Sequence, residues 1–236
     1  MEQQSTFSKS RGRSPKILTV FQKASKIRGN VPCLDLGQSD YASVHQLQLQ
    51  IVSDIALNNR SELIIITEHF PVYTCGRSTK PHERPLGSSI PVVDIERGGG
   101  LTYHGPGQIV GYPILNLGKR KMSIPQYLRK LENILISVLA DYGVTAHYRE
   151  ECRAGVWVGP EGGGGKKLIS MGIAVRRWVA FHGFALNVDC DLAPFKNAQP
   201  CGMAGDNITS LKELGHAVCK VDLKKNIIEK LNYAFF

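Results

Sequence analysis

The 236-residue chain lacks the features that mark several whole classes of protein. No apolar run approaches the roughly 18 residues of a membrane span, so no transmembrane helix is expected. No apolar h-region follows the early basic residues, which argues against a secretory signal. No two of the six cysteines (Cys33, Cys75, Cys152, Cys190, Cys201 and Cys219) are spaced C-x-x-C. Neither a zinc knuckle nor a thioredoxin-type pair is therefore supported, and no metal site is expected. A disulfide framework is not expected either, and most of the thiols read as small core hydrophobes in a reducing compartment. Both common phosphate fingerprints are missing: there is no G-x-x-x-x-G-K-[ST], and no G-x-G-x-x-G that opens a helix.

Acidic residues are scarce at the start of the chain. Residues 1–30 hold seven Lys/Arg and only Glu2, which accounts for +6 of the formal +9 charge and leaves about +3 for the rest. The basic excess thus belongs mainly to an N-terminal extension, and nucleic-acid binding by the folded part is not implied. The extension reads as a solvated tail of a cytoplasmic protein, with a mitochondrial or plastid transit segment as the alternative. Residues 31–236 suit one large domain. Within it, Lys119-Arg120-Lys121 and Arg176-Arg177 are basic clusters that would suit an acidic protein partner.

The most informative stretch is Arg97-Gly98-Gly99-Gly100-Leu101-Thr102-Tyr103-His104-Gly105-Pro106-Gly107-Gln108. Five glycines and a proline in twelve positions exclude a stable helix or a long strand. Apolar segments flank the run on both sides, so it is not a disordered linker. It reads either as a structural turn or as a backbone built to approach a ligand closely.

Around it, helix and strand signals are mixed. Asp40–Asn58 carries apolar residues at helical spacing, and Glu62–Thr67 and Val72–Cys75 read as strands. Ile124–Tyr142 is the clearest helix: Ser123 and Gln126 form a capping box, Pro125 sits in the first turn, and Gly143 supplies the stop. Strands are expected at Gly155–Val158, Leu168–Val175 and Val179–Val188, with Glu161–Gly165 as a flexible hairpin tip between the first two. Short helices are expected at Asn207–Leu214 and Leu223–Tyr233. Without regular βαβ alternation, the fold class is α+β rather than doubly wound.

Two further islands of unusual local composition, 167–187 and 200–211, could carry chemistry. Lys167-Leu168-Ile169-Ser170-Met171-Gly172-Ile173 places a lysine at the start of an apolar strand, and His182-Gly183-Phe184-Ala185-Leu186-Asn187 sets a histidine beside a glycine. Pro200-Cys201-Gly202 presents a thiol in a turn, a poor position for core packing and a good one for a nucleophile. A thiol with a free pKa near 8.5 needs a cation beside it to ionise at neutral pH. Lys167, His104 and His182 could each supply that charge, and spacing alone does not choose among them.

Taken together, Arg97–Gln108, Gly155-Val156-Trp157-Val158, Lys167–Gly172, His182–Val188 and Pro200-Cys201-Gly202 closely resemble the octanoyl-[acyl carrier protein]:protein N-octanoyltransferases. The resemblance spans roughly residues 33–215. It implies a single α+β domain of the biotin/lipoate-ligase type with a mixed sheet and helices, related to class II aminoacyl-tRNA synthetase cores. It also implies a monomer that needs no cofactor and moves octanoyl from acyl carrier protein to a lysine. The acceptor lysine lies on lipoyl domains of 2-oxoacid dehydrogenases or on the glycine cleavage H protein. By the same resemblance Cys201 matches the acyl-thioester nucleophile and Lys167 the lysine that lowers its pKa. Arg97, Gly98, Gly99, Gly100, Leu101, Thr102, Tyr103 and His104 match substrate-contacting positions. So do Ser170, Met171 and Gly172, and likewise Gly183, Phe184 and Ala185. The chain departs from the family where Glu161–Gly165 lengthens a turn and two lysines follow it. Lys167 rather than Lys166 takes the role because it directly precedes Leu-Ile-Ser-Met-Gly. The alternatives are an ATP-dependent lipoate or biotin ligase, for which the thiol would be superfluous, and a non-catalytic module that holds an anion on Arg97–Gln108.

Overall fold

The computed structural model describes residues 32–85, 87–149, 154–160, 164–196 and 207–236. Its centre is a seven-stranded sheet built from β1 (Cys33–Ser39), β2 (Leu63–His69), β6 (Gln108–Asn116), β7 (Ala146–His147), β8 (Gly155–Val158), β9 (Lys166–Arg176) and β10 (Val179–Asn187). The strands lie in the order β1-β2-β6-β10-β9-β8-β7. Only β1 and β2 run parallel; the other neighbours are antiparallel. The architecture is α+β, as the sequence signals indicate.

Helix α1 (Tyr41–Ala56) crosses between the parallel pair. Asp40 caps it by accepting from the Ser43 N–H at 2.8 Å. Its buried face, Val44, Leu47, Ile51, Val52 and Ile55, follows the helical period. In β2 the period is two. Leu63 and Ile65 pack toward α1, while Ile64 and Ile66 face the opposite core. That second core is covered by α2 (Ile124–Ala140) and, after a short helix α3 (Ala193–Lys196), by α4 (Lys220–Phe235). The expected capping box of α2 is present, with Ser123 N–H donating to Gln126 Oε1 at 2.8 Å. The helix ends at Ala140, two residues before the expected end, and Gly143 follows at φ +73°. No helix among the described residues is long and apolar enough to cross a membrane.

A small second sheet, in the order β4-β3-β5, joins β3 (Val72–Cys75), β4 (Val92–Asp94) and β5 (Leu101–His104). β5 is the part of the glycine-rich stretch that turns extended. One expected element does not form. Over residues 207–214 the chain makes a bridge at Ile208 and a turn at 211–215 rather than an α-helix. Tertiary hydrogen bonds override the local preference there: Leu211 N–H donates to Asn187 O at 3.0 Å and Lys212 N–H to Val188 O at 2.9 Å.

Candidate active site

The glycine-rich turn and β5 lie over the middle of β9 and β10, and the contact between them is close. Gly98 N–H donates to Ile173 O at 2.8 Å, and a Cβ on Gly172 would stand 2.8 Å from Gly98 O. Arg97, 7% exposed, braces the turn from inside. Its Nη1 donates to Gly98 O at 3.0 Å and Gly100 O at 2.8 Å, and its Nη2 donates to Thr74 O and Oγ1, both at 2.8 Å. A buried guanidinium ringed by carbonyls holds the loop in one shape.

Between turn and sheet runs a cleft of about 620 Å³, counting its open mouth. It gathers most of the residues singled out in the sequence. Arg97, Gly99, Leu101, Thr102 and His104 line one side. Lys167, Ser170, Met171 and Gly172 come from β9, and Gly183, Phe184 and Ala185 from β10. Gly98 and Gly100 support the turn through their backbone groups. Tyr103 is set apart, because strand alternation turns it away from Thr102 and His104. Its ring packs against Tyr73 at 5.6 Å and edge-on against Phe195 at 5.5 Å. Sequence reasoning missed Tyr41, Val110, Tyr112 and Ile208, which also line the cleft. Ile208 falls in the unusual island 200–211, whereas Tyr41, Val110 and Tyr112 sit outside all three islands of unusual composition and reach the cleft only through the fold.

Cys201 lies outside the described residues, as do Pro200, Gly202, Cys152 and residues 161–163 of the lengthened turn. The described chain resumes at Asn207, and the next residue returns it to the cleft. Ile208 bridges in parallel to Lys167, and Thr209 N–H donates to Lys167 O at 3.0 Å.

The two candidate lysines differ sharply. Lys166 is exposed, whereas Lys167 is 4% exposed and lines the cleft. Lys167 Nζ stands 3.5 Å from Ala154 O and 5.1 Å from the centre of the Trp157 ring. Gly155 makes room for it, since a Cβ there would lie 2.8 Å from Lys167 Cε. The histidines are poor rivals for the cationic role. Burial pushes His104 well below the usual imidazole range, with His69 and Arg97 adding to the effect, and burial also lowers His182. Cys33 and Cys190 are buried thiols pushed up to about 12, and burial raises Cys75 too, so these three are held as neutral core thiols.

His104 also has a defined tautomer. Asn187 Nδ2 donates to Thr209 O at 2.9 Å, and Gln108 Nε2 donates to Tyr103 O at 3.2 Å and Asn187 Oδ1 at 3.0 Å. Because those carbonyls can only accept, Gln108 Oε1 must take the proton of His104 Nδ1, 3.2 Å away. That leaves Nε2 as a lone pair, suited to accept a hydrogen bond. At the far end of the cleft, ligand atoms of His45, Glu96 and His182 lie within 4.8 Å of one another. The His182 and His45 imidazoles hold the Glu96 carboxyl down at about 2. The positive charge of Arg97 also helps to lower His182.

A family model described as "Lipoyl protein ligase A/B catalytic domain" matches residues 40–232. The chain is 48% identical to the octanoyltransferase of Syntrophotalea carbinolica over 195 residues, covering 82% of this chain and 89% of that one. It is 44% identical to the octanoyltransferase of Geobacter metallireducens over 194 residues, covering 82% and 88%. Among solved structures, the bipartite lipoate protein ligase of an archaeal lipoylation system from Thermoplasma acidophilum aligns with a TM-score of 0.64. That alignment covers 88% of this chain and 84% of the other at 15% identity, a level that shows a shared fold and no more. The cleft, its buried lysine and the sequence identities lead to one assignment: the chain belongs to the octanoyltransferases, acyltransferases of the lipoyl protein ligase A/B catalytic-domain family.

Proposed function

We propose that this chain carries out octanoyl transfer in protein lipoylation through a covalent intermediate on Cys201, with acyl carrier protein as donor and a lipoyl-domain lysine as acceptor. The Cys201 thiolate attacks the donor's carbonyl carbon and expels the carrier thiolate, exchanging one thioester for another. The neutral amine of the acceptor lysine then attacks the acyl-enzyme, an amide forms, the Cys201 thiolate leaves, and the amine gives up a proton. Amide formation is downhill from a thioester, so transfer runs one way and requires no ATP. Lys167 supplies the cation that favours the thiolate, and the glycine-rich turn with β9 and β10 holds the acyl chain.

The observation that carries the reading is the placement of Lys167. It is buried on the cleft wall, and the chain that returns from residues 197–206 pairs with it at Ile208. A catalytically silent anion site is less well supported, because the Arg97 guanidinium is turned onto Gly98, Gly100 and Thr74.

Intact-mass analysis tests the proposal. Mixing with octanoyl-carrier protein in the absence of ATP should add one octanoyl group to the chain, and a lipoyl domain should then remove it. Cys201→Ala should show neither step. A Cys201→Ala protein that modifies the lipoyl domain at the unmodified rate would refute the mechanism. A requirement for ATP would favour the ligase route.

A further inference from the structure

The register of the sheet gives the cleft a length. Lys167 Cε and Nζ lie 2.8 and 3.2 Å from where a Gly155 Cβ would stand, and Gly155 pairs with Ser170 across β8 and β9. The ammonium therefore sits level with Ser170. His182 pairs with Ile173 across β9 and β10. From Ser170 to Ile173 is three residues of strand, about 10 Å. A saturated acyl chain is a zigzag of single bonds like extended backbone, so the octanoyl chain spans a little over two residues, about 8 Å. Along that path Gly172 and Gly183 pair across the strands, and both line the cleft.

The path ends on an unusual residue. His182 is 2% exposed, has φ +58°, and neither ring nitrogen has a hydrogen-bond partner. Its Nε2 stands 3.8 Å from Glu96 Oε2, which also lies 3.0 Å from the Nε2 of His45, whose ring stacks on His182 at 5.4 Å. From the octanoyl-transfer reading above and this geometry, we infer that His182 closes the acyl pocket and sets its preference for an eight-carbon chain. A longer chain would have to press methylenes against the buried His182 imidazole and toward the part-buried Glu96 carboxylate beyond it, which stabilises nothing and strips that carboxylate of its partners. A shorter chain leaves space unfilled and loses about fourfold in affinity per missing methylene.

The backbone suggests the variant that tests this. Glycine adopts φ near +60° without steric penalty, so His182→Gly removes the ring and relaxes the backbone together. The measurement is kcat/KM of the full chain with carrier protein loaded with hexanoyl, octanoyl, decanoyl or dodecanoyl, using a lipoyl domain as acceptor. In His182→Gly the decanoyl-to-octanoyl ratio should rise by about fifteenfold, the worth of two newly buried methylenes. His182→Asn also suits a left-handed backbone, so it should give a smaller rise in the same direction and carries the test if the glycine variant does not melt cooperatively. Ser123→Ala, remote at the start of α2, should leave the ratio unchanged. An unaltered chain-length profile in a folded His182 variant would overturn the inference, as would an equal shift in Ser123→Ala. Failure of the unmodified chain to transfer octanoyl at all would instead remove the functional reading beneath it.

Discussion

Two adjacent lysines open onto different surroundings, Lys166 onto water and Lys167 onto the cleft beside the Ala154 carbonyl and the Trp157 ring. A cation stabilises a nearby thiolate more strongly where water is thin, because screening and dielectric both fall away from bulk values. The neighbouring imidazoles of His104 and His182 are held neutral by burial and cannot take over. Lys167→Ala should therefore move the Cys201 thiol up toward its ordinary value near 8.5, read from the pH dependence of its alkylation. Lys166→Ala should leave that profile in place. The opposite pattern would transfer the role to Lys166.

Among the elements, those with a local signature were legible and those set by long-range contacts were not. The α2 capping box is written in Ser123 and Gln126, and the run Leu63–Ile66 is a strand by its β-branched composition. The β9–β10 hairpin turns at Arg177 and Trp178, with φ of +50° and +64°, inside the break that the expected strands leave at 176–178 and without the usual glycine or asparagine. Such contrasts predict different consequences for two small substitutions. Gly172→Ala would place a methyl 2.8 Å from Gly98 O and 3.1 Å from Arg97 Cδ. A backbone carbonyl pinned by Arg97 retreats only if the whole turn lifts from β9. Transfer should then fall on the order of a hundredfold, as misplacements near 1 Å do, with the fold retained. Ser123→Ala should do the reverse: it loses about 1 kcal/mol of stability through the missing cap while octanoyl transfer stays unchanged. Paired melting curves and rate measurements on the two variants check both halves.

At the scale of the whole molecule, the cleft is a long-range construction. The islands at 97–108, 167–187 and 200–211 were visible because glycine and polar residues interrupt apolar sequence. Tyr41 and Thr74 join them only because α1 and β3 fold against the same place. The buried imidazoles that result tie stability to pH. His69 is lowered to about 4 by burial, and His104 and His182 are lowered in the same direction. Each is neutral in the folded protein and takes up a proton on unfolding once the pH falls below about 6.5. Their stabilising contribution is thus complete above that value and is lost as pH falls toward the folded-state values. Each such proton changes stability by about 1.4 kcal/mol per pH unit, so His69 and His104 together give a slope of up to about 3 kcal/mol per unit, and His182 adds to it in the same direction. Glu96, held at about 2, adds its own loss only in the lower window, between its ordinary value near 4.5 and about 2. Urea unfolding at pH 7, 6 and 5 should show midpoints that fall steadily across the histidine window. His69→Gln should make the fall shallower, since one of the proton-binding sites is gone. A midpoint that stays level from pH 7 to 5 would mean that these imidazoles are not buried as neutral groups, and the Nε2 lone pair assigned to His104 would lose its basis.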